Sequence, residues 1–529
     1  MVTLQNITYR HADKQLLFNS INFAVNKGEK IALIGKNGSG KSTLLKLIVK
    51  KIEPSSGAIN LGSSAYYVPQ IFGQFDNLTI GEALSVSQKI TALREILNGN
   101  VTESNLEILD DDWDVEERCR FAMQFWELGD FNFDEKMSFL SGGQQTKVFL
   151  AGLLIHKPDL AVLDEPSNHL DRAGRDKLSG WLKTTTATVI IVTHDRELLN
   201  LVQKIAELHD KGISNFNGNY SDYLIHKDLE QKTLSHGIHD KERALRKAKI
   251  KERETNERQQ KLDSRGKGKK EKSGVARIMM NTLRNNAENS SAKLKNVHEE
   301  KMQNISQELR QLRSELPDID KMKLGIRDSS LHKGKILFKG QDLNYSYGNL
   351  QVWKENLNFE ITSGERIGLE GQNGSGKTTF LKMLTGELQA SAGNIYRSEQ
   401  IIVYVDQNYS YLDEHLTIYE QAQKSNTSRL EEHEVRIRLN RFLFAPDNSD
   451  KLCQALSGGE RMRLVLCCMM MSIMPPDVII LDEPTNNLDL QNIDILTATI
   501  KDYKGTLIVV SHDLNFMEDI GIGRTIVLR

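Results

Sequence analysis

The chain has 529 residues, 39% of them hydrophobic and 26% charged, with a formal net charge of −2. At roughly 150 residues per domain, that length suggests about three domains with packed cores. The near-neutral balance excludes a chain that binds nucleic acid along its whole length. The longest apolar runs, such as Leu464–Met471, fall short of the ~18–20 residues that span a bilayer. The opening MVTLQNITYR lacks the charged start and apolar stretch of a secretory signal. The expectation is therefore a cytoplasmic protein, neither membrane-embedded nor secreted. Cys119, Cys453, Cys467 and Cys468 show no metal-ligand or disulfide spacing and fit buried thiols in a reducing compartment.

In chain order, the first strong element is the apolar strand IALIG, running into GKNGSGKST at Gly35–Thr43. Leu44, Leu45, Leu47 and Ile48 follow at helical spacing, so the block reads as strand, loop and helix. LSGGQ (Leu140–Gln144), LAVLDEPSNHLD (Leu160–Asp171) and VTHD (Val192–Asp195) come next. All four blocks then return in the same order: GQNGSGKTT at Gly371–Thr379, LSGGE at Leu456–Glu460, VIILDEPTNNLD at Val478–Asp489 and VSHD at Val510–Asp513. Four blocks in register mean two copies of one domain. The offset shrinks from 337 between Gln70 and Gln407 to 316 at LSGG, so the first copy carries about 21 extra residues. They include the acidic run Asp110, Asp111, Asp112 and Asp114.

Residues 227–315 separate the copies and differ from both. They hold 23 Lys/Arg against 14 Asp/Glu, and no proline lies between Pro166 and Pro317. Good helix formers dominate, and helices are expected over about 229–262 and 280–315. The intervening KLDSRGKGKKEKSGVAR (261–277) has seven basic and two acidic side chains and three glycines. It reads as a basic hairpin tip, with Lys267, Lys269, Lys270 and Lys272 among Gly266, Gly268 and Gly274. A solvated spacer is the plainer alternative.

The Gly-rich blocks match the phosphate-cradling pattern, in which backbone N–H groups and a helix N-terminus close around a polyphosphate. The candidate nucleotide ligands are Gly35, Asn37, Gly38, Ser39, Gly40, Lys41, Ser42 and Thr43 in the first copy. In the second they are Gly371, Asn373, Gly374, Ser375, Gly376, Lys377, Thr378 and Thr379. Lys41 and Lys377 would reach the β- and γ-phosphates. Ser42 and Thr378, with Asp164 and Asp482, would hold Mg²⁺; Gln70 and Gln407 would sense the same phosphate through Mg²⁺ or water. Glu165 and Glu483 follow those acids and would orient or deprotonate the attacking water. His194 and His512 would contact the γ-phosphate. Tyr9 and Tyr347 are candidates to stack on adenine, although aromatic residues also serve as core.

With these blocks, LSGG followed by Gln or Glu resembles the ATP-binding-cassette ATPases. The resemblance implies two composite ATP sites. One pairs Lys41, Gln70, Asp164, Glu165 and His194 with Ser457, Gly458 and Gly459; the other pairs Lys377, Gln407, Asp482, Glu483 and His512 with Ser141, Gly142 and Gly143. Glu460 stands where that signature more often has Gln. The twin cassettes, the charged helical linker and NFNGNYSDYLIHKDLEQK (Asn215–Lys232) further resemble the ABC-F group. The insertion, about 85–115, sits where that group has its arm, and with Arg529 following the final strand TIVLR the expectation is a member without the C-terminal extension that some carry.

The implied fold is α/β, with cassettes over 1–225 and 336–529, a helical subdomain in each carrying LSGG, and a helical hairpin linker over 226–335. The implied function is a monomeric, ribosome-associated translation ATPase bound near the tRNA exit site. Its basic linker tip would meet rRNA and the P-site tRNA near the peptidyl-transferase centre. Relief of stalled elongation, and in some relatives protection from antibiotics, are the group's activities. A soluble transporter ATPase and a DNA-repair ATPase are the alternatives. The first has no evident use for a basic hairpin; the second carries far longer coiled coils or zinc cysteines.

Overall fold

The computed structural model describes residues 1–11, 16–71, 73–129, 132–209, 212–270, 300–313, 329, 331–486 and 488–528. The chain divides into two compact units. One comprises Met1–Tyr223 with Lys323–Arg529; the other is Leu224–Met322.

Within the first unit the two sequence copies fold alike. The strand order of the first main sheet is Ala65–Val68, Leu160–Asp164, Thr188–Val192, Lys30–Gly35, Lys204–His209 and Gly212–Asn217. All pairs are parallel except the last. The second main sheet repeats the order with Ile402–Val405, Val478–Asp482, Thr506–Val510, Arg366–Glu370 and Arg524–Val527, all parallel. LAVLD, TVIIV, VIILD and TLIVV are buried at every position. A central parallel strand is covered on both faces, which is why these segments are continuously apolar rather than alternating. Each copy adds a three-stranded antiparallel sheet, Leu16–Val25, Val2–Arg10 and Ser56–Leu61 in the first, and Leu357–Thr362, Ile336–Asn344 and Ala392–Arg397 in the second.

The signature helices are Gly142–His156 and Gly458–Met471. Ser141 and Ser457 start them, each in a capping box closed by Gln144 or Glu460. That reciprocal bond needs Gln or Glu at the third helical position, so Glu460 replaces Gln without loss of the cap. Thr79 and Thr417 build the same box at an earlier helix of each copy, with Glu82 and Glu420. Between Thr79 and Ser141 the first copy makes two additional helices, Ser87–Leu97 and Glu103–Leu109. The acidic run after them is partly neutralised internally. Asp112 lies 2.9 Å from Lys89 and 2.7 Å from Arg118, and Asp114 also meets Arg118.

The helix entering the second unit corrects the sequence expectation of 229–262. It runs from Tyr220 to Lys270, 51 residues, about 77 Å at 1.5 Å per residue. It starts earlier because Tyr220 is buried and stacks with Tyr223, which meets Phe216 edge-on. It continues through Gly266 and Gly268, where a turn was expected. Each glycine costs only about 1 kcal/mol in a helix interior, and the flanking lysines and arginines favour the helix. The remainder of the expected tip, 271–277, and the stretches 280–299 and 314–315 of the expected return helix lie outside the described residues. Residues 300–313 are helical. They run antiparallel to the first helix: Leu312 faces Gly237, and Lys241 bonds Glu308 at 2.5 Å.

Gly152 fixes how the first signature helix meets its sheet. A Cβ there would overlap the ring and hydroxyl of Tyr66, whose OH donates to Phe149 O at 2.9 Å. Tyr66 lies on the strand that leads to Gln70. Gly152→Val is therefore expected to destabilise the protein by about 1–3 kcal/mol through overpacking, read as a lower thermal midpoint. An unchanged midpoint would show that the helix shifts freely.

Candidate functional site

Each phosphate loop turns from a buried strand end into a helix through glycine. Gly38 and Gly40 have φ of 81° and 93°, and Gly374 and Gly376 have 84° and 86°. Side chains rarely adopt that left-handed conformation. The lysines fold back over their loops: Lys41 Nζ donates to Gly35 O at 2.7 Å and Lys36 O at 3.1 Å, and Lys377 Nζ to Gly371 O at 2.8 Å and Gln372 O at 3.0 Å. A lysine has three donors, so one remains for a phosphate oxygen. The Ser39 and Ser375 hydroxyls are buried with no partner among the described residues. Such groups are costly to leave unsatisfied, and a phosphate in the loop would satisfy them.

Ser42 Oγ donates to Asp164 Oδ1 at 3.1 Å, and Thr378 Oγ1 to Asp482 Oδ2 at 3.1 Å. A hydroxyl and a carboxylate held together give the hard oxygen donors that Mg²⁺ takes, with substrate phosphates and water completing its shell. Among the described residues no cluster of three or more His, Cys, Asp or Glu could hold a metal alone. A site that shares the ion with a nucleotide needs no such cluster. Two further partners of these acids do not stand out in the sequence. Tyr67 OH donates to Asp164 Oδ2 at 3.0 Å and Tyr404 OH to Asp482 Oδ2 at 3.2 Å. Both lie three residues before the glutamine of their copy, a recurrence that could have found them.

Glu165 and Glu483 end the buried strands with φ of 47° and 50°. That conformation costs a non-glycine residue about 1–3 kcal/mol. It is held by bonds from Glu165 N to Val192 O and Glu483 N to Val510 O, both 2.8 Å. Burial pushes the Glu165 carboxyl up to about 8, against the pull of Lys41. Burial likewise raises Glu483 to about 7, with Arg175 and Lys377 opposing. His194 Nε2 lies 3.2 Å from Glu165 Oε1, and His512 Nε2 lies 3.4 Å from Glu483 Oε1. Burial and the neighbouring lysines hold His194 well below its usual range and His512 at about 4. Both imidazoles are therefore neutral near pH 7. A carboxyl with pKa near operating pH and a neutral imidazole beside it suit proton transfer from water.

Two clefts collect these groups, and each draws on both copies. The first, about 1090 Å³, is lined by Lys41, Ser42, Gln70, Asp164, Glu165 and His194 from the first copy and by Gln407, Ser457 and Gly458 from the second. The second, about 420 Å³, is lined by Lys377, Thr378, Asp482, Glu483 and His512 together with Ser141, Gly142 and Gly143. Gln407 lines both. Gly459 is not among the first cleft's lining; a Cβ there would run into Asn492 of its own copy.

Neither tyrosine lines its cleft, and Tyr347 meets the phosphate loop through Thr379. Tyr9 packs edge-on against His11, and it is His11 and Leu17 that line the first cleft. Tyr347 is 59% exposed, bonds Thr379 Oγ1 at 3.2 Å and does not line the second. Tyr9 sits on a strand of the first three-stranded sheet and Tyr347 on the two-residue strand Ser346–Tyr347, paired with Leu350–Gln351, and each side chain follows its strand's pleat.

The family described as ABC transporter matches residues 18–168 and 354–486. Over 534 residues the chain is 30% identical to the ATP-binding protein Uup of Buchnera aphidicola subsp. Acyrthosiphon pisum, covering 98% of this chain and 79% of that one. It is 28% identical over 549 residues to ABC transporter F family member 5 of Arabidopsis thaliana, covering 98% and 74%. The fold resembles that of an archaeal ribosome recycling factor solved in complex with a ribosomal stalk protein. That match has a TM-score of 0.60 at 20% identity, over 99% of this chain and 87% of the other.

The buried glutamates have a consequence for stability. A carboxyl whose folded pKa exceeds its unfolded value binds protons more tightly in the native state, so stability falls as pH rises from the unfolded pKa to the folded one. Without nucleotide or magnesium, Glu165 is expected to lower the thermal midpoint progressively between about pH 4.5 and 8, and Glu483 between about 4.5 and 7. Glu165→Gln should be more stable than wild type at pH 8.5, with the difference shrinking towards pH 5. Thermal melts across that range check it. A difference independent of pH would mean the carboxyl is not buried.

Proposed function

The chain belongs to the ABC-F group of ATP-binding-cassette proteins and hydrolyses ATP, and from that premise we propose that it works as a translation ATPase on the ribosome. The observation that carries this reading is a long helix with a basic surplus, Tyr220–Lys270, following the first of two copies that pair into composite ATP clefts. No described helix is long and apolar enough to cross a membrane, and a cassette pair that drives a transporter has no evident use for such a linker. The ribosomal stalk partner of the structural neighbour and the F-family name of the plant relative support the same reading. Binding lies near the tRNA exit site, with the basic segment around 261–277 directed at rRNA and the P-site tRNA.

At each site the loop N–H groups and Lys41 or Lys377 bind the polyphosphate. Ser42 with Asp164, and Thr378 with Asp482, would hold Mg²⁺, Gln70 and Gln407 closing on the same region. When bound, the ion neutralises charge on the β- and γ-phosphates. Glu165 and Glu483 accept the proton of the attacking water, and His194 and His512 fix the terminal phosphate. Ser457 and Gly458, or Ser141, Gly142 and Gly143, close each nucleotide from the opposite copy. Lys41, Asp164, Glu165 and Asp482 are buried, so their charges are screened less than in open water.

Replacing both Glu165 and Glu483 with Gln should cut turnover by about 100-fold or more, the usual range for a lost general base, while ATP still binds. With ATP the variant should cosediment with ribosomes more persistently than wild type. Recovery with membranes or DNA instead would favour the transporter or repair reading.

Changing Lys267, Lys269, Lys270 and Lys272 to Gln should leave ribosome-free ATPase unchanged. It should weaken ribosome binding and flatten its salt dependence, by roughly 0.7–0.9 in log–log slope for each phosphate no longer neutralised. Binding across a salt series measures this; identical slopes with unchanged translation activity would make the segment a solvated spacer.

A further inference from the structure

The two clefts come from repeats of one sequence, yet the helices that follow the LDEP strands differ at a register position that faces a cleft in one copy alone. Asp171 and Asp489, 318 apart, cap those helices alike, accepting from Gly174 N and Asn492 N. Four residues further on, the first copy has Arg175 and the second has Ile493. Ile493 is buried in its own copy and does not line the first cleft. Arg175 lines the second cleft with Lys377, Glu483 and His512 of the other copy and with Gly142 and Gly143 of its own.

Its side chain is positioned before any ligand arrives. Arg175 Nη1 donates to Asp195 Oδ2 at 3.0 Å and Nε donates to Leu170 O at 3.3 Å. Asp195 is itself fixed, its Oδ1 accepting from Glu197 N at 2.9 Å. A guanidinium has five N–H donors in a rigid fork, so these two bonds set its plane and leave three donors for an anion. It shares the lining of that cleft with Glu483 and His512, at the end where the terminal phosphate would lie.

We propose that Arg175 is an anion-binding residue of the second ATP site, supplied from the opposite copy, which contacts the terminal phosphate of the nucleotide held by Lys377. At the same register position the first site has Ile493; the arginine that lines its cleft from the opposite copy, Arg461, comes instead from the signature helix and is paired with Glu414, so the two sites differ in how they tell ATP from ADP. This rests on the reading of the two clefts as ATP sites with Glu165 and Glu483 as bases.

The test uses the full chain carrying Glu165→Gln and Glu483→Gln, titrated with ATP and separately with ADP by calorimetry. Adding Arg175→Ile, the residue of the other copy, should weaken ATP at one of the two sites by about tenfold, the scale of a charge-assisted bidentate contact. ADP affinity should stay within twofold at both sites. Arg175→Lys should recover part of the loss. Should Arg175→Ile unfold, Arg175→Gln keeps a donor to Asp195 without the charge and gives the same readout. Equal weakening of ATP and ADP, or no change in ATP, overturns the proposal. A parent variant that still hydrolyses ATP would instead refute the assignment of the glutamates, and the comparison with a non-hydrolysable ATP analogue would still read Arg175.

Discussion

Asn37 N donates to Asp489 Oδ2 at 2.9 Å, and Asn373 Nδ2 donates to His169 O at 3.1 Å. In both bonds a phosphate loop of one copy is tied to the segment after the acidic strand of the other. Arg196 adds a third tie, reaching Asp494 at 2.7 Å and Asp519 at 2.9 Å across the same boundary. This head-to-tail apposition is the constraint on which the site depends. The signature serines cap short stretches of backbone at helix N-termini that are far in sequence from the loops they face. Only the pairing of two copies brings a helix N-terminus, a phosphate loop and a buried glutamate to one cleft.

The apposition also sets the electrostatics. Burial is the largest cause of the raised Glu165 and Glu483 and of the lowered His194 and His512. Each carboxyl sits at the end of a fully covered strand in strained backbone, and each lysine is itself desolvated, against the pull of the acids around it. Left alone, such groups are expensive. A polyphosphate with its metal ion supplies the charges they lack, so nucleotide binding and closure of the copies should reinforce each other.

Much of this is legible in the chain itself. The repeats give two copies, and the continuous apolar runs of LAVLD and VIILD give buried parallel strands. The spacing of glycine, lysine and hydroxyl gives the phosphate loops. What escapes depends on tertiary geometry that sequence pattern does not encode. Tyr67 and Tyr404 read as ordinary strand aromatics, and only the pairing of their strands with the acidic strand aims their hydroxyls at Asp164 and Asp482. Tyr9 stands out from its neighbours because it is aromatic, but the pleat and the path of the chain turn His11 and Leu17 to the cleft instead. The linker helix runs past its expected end because glycines read as turn formers, whereas helix-forming neighbours on both sides outweigh them.

Arg175 escapes for a different reason. Repeats are recognised by what they share, whereas this residue matters because the copies differ there. Its partner Asp195 directly follows His194, whose ring meets Glu165 in the first site, while Arg175 itself faces the second. One loop therefore touches both sites: through His194 it borders the first glutamate, and through Asp195 it orients a cation in the second cleft. A shift of that loop on losing the terminal phosphate at the first site would move the Arg175 fork. The reverse path is missing, because Ile493 offers Asp513 no guanidinium to hold. Coupling by this route then runs through a single arm, from the His194–Asp195 loop to the Arg175 fork.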